Sequence, residues 1–184
     1  GDGPPPSLRM SSWMNILKKK VKFFDLDREY NVSFETTHHG PWLSAPSLFI
    51  EIGSTEERWR DEKAASVLAD VIIEGLNLNN SEDFPKIESG KVVFCLGGGH
   101  YAPQPMRLSE RGIVLGHMLA SYALKMEKDS SINSEESWKK VILSAYNKAK
   151  PSTCLAARPI VCTKDLSALK NPSLSASRIT TSET

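Results

Sequence analysis

An α/β fold, a mixed sheet with flanking helices, is what this sequence predicts, and three observations carry it. Apolar runs of strand length at 47–52, 91–96 and 112–119 read as strands buried on both faces. Longer stretches at 8–24, 54–74 and 134–148 repeat apolar residues at helical spacing. Strand and helix signals alternate along the chain, as a layered α/β sheet requires, and the strand ends should converge on one rim.

The bounds agree. A chain of 184 residues suits one domain with a real core. Its 40% hydrophobic and 24% charged residues are ordinary for a soluble globular protein. A net charge of +1 supplies no general attraction to nucleic acid, so any RNA contact needs a local basic patch. Three cysteines without close spacing argue against a disulfide framework. Cys154 and Cys162 are too isolated for a zinc knuckle, and Cys95, inside a strand run, reads as a buried inert thiol. No apolar run reaches the roughly 18 residues of a membrane span, and no secretory leader is recognisable. The expected location is the cytoplasm, with the nucleus as a second.

Three segments follow. Residues 1–7, glycine- and proline-rich, are expected to form a tail, 8–150 the folded domain, and 151–184 an unpatterned, disordered tail. Within the domain, Trp13, Ile16, Leu17, Val21 and Phe24 mark the buried side of a first helix. Lys18, Lys19, Lys20 and Lys22 crowd its other side, either as a solvated face or as a contact for RNA phosphates. Residues 30–36 alternate like a strand with one buried side and deliver His38 and His39 just past its end. In the run 47–52, Glu51 is a carboxylate that burial would penalise unless it were paired or coordinated. Ser54 and Glu57 have capping-box spacing at the start of a helix carrying Ala64, Leu68, Val71 and Ile72. After a polar loop, the strand at 91–96 runs into Gly97, Gly98, Gly99 and His100. The run 112–119 carries His117, and the last helix sets Trp138, Ile142 and Ala145 on one side.

The chemistry lies with the four histidines, each at a strand end or beside a glycine. Neutral imidazoles with a carboxylate can hold a zinc-like ion or move protons. Adjacent His38 and His39 point to opposite faces of a strand, so both reach one ion only if Gly40-Pro41 bends the backbone. No His-Glu-x-x-His helix is present, and the glycine run has neither P-loop nor dinucleotide spacing. Glycines after a strand let the backbone approach a ligand closely. Thr36 and Thr37 either orient a water or substrate carbonyl or simply favour a strand. Ser54 and Thr55 could serve as nucleophiles beside a histidine, although a cap explains Ser54.

Four motifs occur together in order: Thr36-Thr37-His38-His39-Gly40-Pro41, then Phe49-Ile50-Glu51-Ile52-Gly53-Ser54-Thr55-Glu56-Glu57 with Trp59, then Gly97-Gly98-Gly99-His100-Tyr101-Ala102-Pro103, and Gly116-His117-Met118-Leu119. In these the chain resembles the D-aminoacyl-tRNA deacylases of archaeal and plant type. The resemblance implies a fold similar to peptidyl-tRNA hydrolases and phosphorylases. It implies zinc-dependent hydrolysis of the ester joining a D-amino acid to tRNA, for chiral proofreading and clearance of aldehyde adducts. His38, His39, Glu51 and His100 are then the expected catalytic residues, and these four with His117 the expected ligands of Zn2+. Thr37, Gly40, Pro41, Gly97, Gly98, Gly99 and Tyr101 are expected to contact the substrate, D-aminoacyl-tRNA. Lys139 and Lys140 would join the first-helix lysines on its phosphates. The family's long segment before the His-His motif and its closing Leu-Asp-x-Lys-Ser-Phe signature are absent, so the domain reads as incomplete at both ends. Two alternatives stand beside this reading: a related hydrolase of another nucleotide-linked substrate, and an inactive chain that binds tRNA or a partner without turnover.

Overall fold

The structure, a computed structural model, describes residues 5–36, 41, 43–53, 55–80, 92–124, 134–148 and 158–161. In chain order the elements are α1 (Met10–Phe23), α2 (Glu62–Gly75), β1 (Val92–Leu96), α3 (Pro103–Glu110), β2 (Val114–Leu119), α4 (Ser134–Lys148) and β3 (Arg158–Val161). Single 3-10 turns lie at Glu56–Arg58 and Ser121–Leu124.

Strand β1 is the centre of the molecule. All five residues are buried, because β2 and β3 flank it and packed layers cover both faces. Val93 and Cys95 pack on one side with Met14 of α1, Phe34, Ala102 and Leu115. Phe94 and Leu96 point to the other side, where Ile142, Ala145 and Tyr146 of α4 cover them. This two-sided burial explains the unbroken apolar run. Both pairings are parallel, with Val92 opposite Val114 and Val93 opposite Arg158. A parallel pair needs a crossover, and α3 supplies it between β1 and β2. The fold is α/β as expected, and the three described strands are all parallel where a mixed sheet was expected.

Helices α1 and α2 make a second cluster: Ile16 and Val21 meet Ala64, Val67 and Val71, with Leu26 between them. The helices approach closely at Gly75, where a Cβ would fall 2.8 Å from Trp13 Nε1. Only a residue without a side chain fits there.

Several expectations are corrected. The stretch 30–36 has the anticipated alternation, with Phe34 and Thr36 buried, but forms no strand. Its backbone bonds to a loop, Thr36 N–H donating to the His100 carbonyl at 3.0 Å, instead of to a ladder. The run 47–52 is one-sided and lacks a strand as well. Ile50 and Ile52 pack on the α1–α2 cluster while Phe49 and Glu51 are exposed, so the Glu51 carboxylate stays solvated. Helix α2 begins at Glu62, not at 54, because Asp61 is its cap and accepts from Ala64 N–H at 2.9 Å. Ser54 lies outside the described residues. Helix α3 was not anticipated: it is eight residues long and opens on two prolines, too short for a periodic signal. Within the tail expected at 151–184 stands β3, which pairs with the edge of β1. Pro6, in the other expected tail, is buried and bridges to Ser47.

Candidate active site

The site grows from the turn after β1. Gly97 and Gly98 take φ of 87° and 84°, values that side chains oppose and glycine permits. The turn is tied to the end of β2: Gly97 N–H donates to Leu119 C=O at 2.8 Å, and Ser121 N–H to Gly98 C=O at 3.0 Å. Two chain segments leaving the same ends of adjacent parallel strands are thereby held side by side, where α/β sheets commonly bind ligands. One carries His100 and the other Tyr122. The extended segment 30–36 joins them through its backbone bond to His100, placing Glu35 and Thr36.

Four side chains then converge. His100 Nε2 makes a short hydrogen bond to Glu35 Oε1. On the far side of the ring, Nδ1 faces Tyr122 OH at 3.1 Å and, more distantly, Thr36 Oγ1 at 3.4 Å. The two hydroxyls bond each other at 2.9 Å, and Thr36 Oγ1 also donates to the His100 carbonyl at 3.3 Å. Thr36 is 5% exposed and forms the floor, whereas Tyr122, at 42%, meets solvent. Tyr101 stands edge-on to His100 with centroids 5.1 Å apart and is 63% exposed. A carboxylate, an imidazole and a hydroxyl in series form an arrangement able to move a proton.

Of the anticipated site residues, the structure brings together His100 with Gly97, Gly98 and Gly99, and Tyr101 borders them. Glu51 is exposed, and His117 is half-buried on β2. Among the described residues, no three His, Cys, Asp or Glu side chains gather as a metal-binding group. Pro41 is exposed. Thr37, His38, His39 and Gly40 lie outside the described residues. Glu35 and Tyr122 escaped the sequence reading. Glu35 stands just before the His-His motif and Tyr122 just after the Gly-His-Met-Leu motif, and that adjacency was the available signal. Gly97 N–H is committed to Leu119, and the space beside the next two glycines is open, since a Cβ on Gly98 or Gly99 would meet nothing within 4 Å.

The basic face of α1 is also changed. Lys18 pairs with Glu110, and Lys20 with Glu74 at 3.1 Å and Asp70 at 3.8 Å. The Lys18 ammonium holds the Glu110 carboxyl below its ordinary range. These two lysines therefore latch α1 to α3 and α2 instead of presenting bare charge for RNA. No helix among the described residues is long and apolar enough to cross a membrane.

Comparison with known proteins places this geometry in a family. The profile for D-aminoacyl-tRNA deacylase matches residues 3–160. An Arabidopsis thaliana D-aminoacyl-tRNA deacylase is 36% identical over 174 residues, which are 83% of this chain and 55% of the relative. A Pyrococcus horikoshii protein of the same name is 43% identical over 108 residues, 58% of this chain and 38% of the relative. The crystal structure of a conserved protein of unknown function superposes with a TM-score of 0.53 at 26% identity, over 87% of this chain and 57% of that one. The chain thus spans about half, or less, of each of these relatives.

Proposed function

The chain belongs to the D-aminoacyl-tRNA deacylase family, and we propose that it hydrolyses the ester between a D-amino acid and the 3′ end of tRNA. The products would be the free D-amino acid and tRNA, a proofreading step that returns mischarged tRNA to use in the cytoplasm. The observation that carries this reading is the clamped His100, with Glu35 on one ring nitrogen and Tyr122 on the other. Held this way, the imidazole has a defined orientation and can act as the base for the attacking water. Gly98 and Gly99 offer backbone N–H groups for the oxyanion that forms on the ester carbonyl. Tyr101, exposed beside His100, offers a ring on which the unpaired terminal base of tRNA can stack.

A zinc ion, implied by the resemblance, is not fitted by the described residues, since no three donors gather among them and Glu35 and His100 are bonded to each other. No step here is routed through the metal. Elemental analysis of the purified chain and of His100→Ala measures this directly: equal metal in both would remove His100 as a ligand.

The test of the function is release of free amino acid from D- and L-aminoacyl-tRNA by the purified chain. We expect turnover of the D-ester and a fall of about 10²-fold or more in His100→Ala. An undiminished rate in that variant would remove the assignment.

A further inference from the structure

We propose that Tyr122 is a catalytic residue, the group through which His100 exchanges protons with water and the leaving ribose oxygen. The proposal rests on the esterase reading above and assigns the atom that meets the substrate. Its first ground is the hydrogen-bond inventory at His100. Glu35, when ionised, only accepts, so Nε2 carries the proton shared with it. In the neutral ring Nδ1 is then an acceptor, and Tyr122 OH, at 3.1 Å, is the closer of the two hydroxyls able to donate to it.

The second ground is that the network is complete in both protonation states. With a neutral ring, Thr36 donates to Tyr122 Oη at 2.9 Å and Tyr122 donates to Nδ1, while the His100 carbonyl keeps the Thr36 backbone N–H. With a protonated ring, Nδ1–H donates to Tyr122, Tyr122 donates to Thr36 Oγ1, and the Thr36 hydroxyl turns to the carbonyl. The two hydroxyls reverse direction together, and no polar group in the cluster loses its partner.

Exposure is the third ground. Thr36 is buried and cannot meet a substrate, whereas Tyr122 is 42% exposed. The step balances as follows. Water adds to the ester carbonyl carbon as one of its protons passes to Tyr122 Oη, whose own proton moves to His100 Nδ1. Collapse of the tetrahedral intermediate breaks the bond to the ribose oxygen. The imidazolium proton returns through Tyr122 to that oxygen, leaving tRNA with a free hydroxyl, and the released amino acid gives its carboxyl proton to solvent.

Steady-state turnover of D-aminoacyl-tRNA by the wild-type chain, by Tyr122→Phe and by Tyr122→difluorotyrosine tests this. We expect kcat to fall by about 10²-fold or more in Tyr122→Phe, with KM within about threefold of wild type. The fluorinated side chain keeps the shape and the hydrogen bonds of tyrosine but is more acidic. It should therefore change the solvent deuterium isotope effect on kcat, a change that a purely structural role would not produce. Should Tyr122→Phe fail to fold, that change decides alone. A kcat within about threefold of wild type in a folded Tyr122→Phe, or an unchanged isotope effect in the fluorinated protein, overturns the relay and leaves the esterase reading standing. Absence of turnover by the wild-type chain on any D-aminoacyl-tRNA overturns both.

Discussion

At the scale of single residues, Glu35 decides how His100 works. A carboxylate on Nε2 sets the tautomer in which Nδ1 accepts from Tyr122. Glu35→Gln keeps the size but can offer an N–H to the ring in place of an acceptor, so the tautomer is no longer defined. We expect kcat to drop about 10–100-fold with little change in KM, measured by steady-state deacylation. Glu51 gives the opposite expectation. It was a site candidate because a carboxylate inside an apolar run is costly, yet here it is exposed and well solvated. Glu51→Gln should change stability by less than about 0.5 kcal/mol in chemical denaturation, and retained turnover would separate it from Glu35.

At the scale of elements, α2 carries two separable devices. Asp61 caps it, and the Ala64 N–H, followed by the Tyr30 hydroxyl at 2.7 Å, holds this carboxyl below its ordinary value. A lowered value means the stabilisation is present above the ordinary carboxylate range and is lost as pH falls through the depressed one. Acid titration of the helical signal should show this loss in the wild type, and Asp61→Asn, a neutral cap, should flatten it. At the other end, Gly75 admits the Trp13 ring. Gly75→Ala is expected to cost about 1–3 kcal/mol in thermal or urea unfolding, because overpacking between two helices outweighs the gain in helix propensity. An unchanged midpoint would show that α1 and α2 can part without penalty.

At the scale of the whole molecule, β1 is where every layer meets. Phe94 is fully buried between the sheet and α4, with its ring 6.2 Å from that of Tyr146. Phe94→Ala should lower stability by about 3–5 kcal/mol in denaturant unfolding, enough to threaten a domain of ordinary stability. Among the described residues, the edge of β1 opposite β2 is covered by β3. Removing residues 158–184 would bare that edge of β1. Light scattering should then show more self-association than in the full chain, since an unpaired strand edge recruits another.

Local patterns carried much of this architecture. The face of α1, the apolar runs of β1 and β2 and the glycine turn before His100 all arise from spacing between near neighbours in the chain, so they were legible from the residues alone; on α2 the expected Ala64 and Val71 are buried, but Ile72 is exposed and Val67 takes its place in the core. The motif order was legible in the same way, and with it the family. What lay beyond reach was whatever depends on distant partners. Glu35 meets His100 across 65 positions and Tyr122 meets it across 22, distances over which periodicity says nothing. The alternating stretch 30–36 could not announce that it would bond to a loop instead of a strand, and the four residues of β3 are too few to carry a period. Tertiary packing chose the acidic partner and the phenol, because hydrogen-bond geometry exists only once separate segments have been brought to the same strand ends.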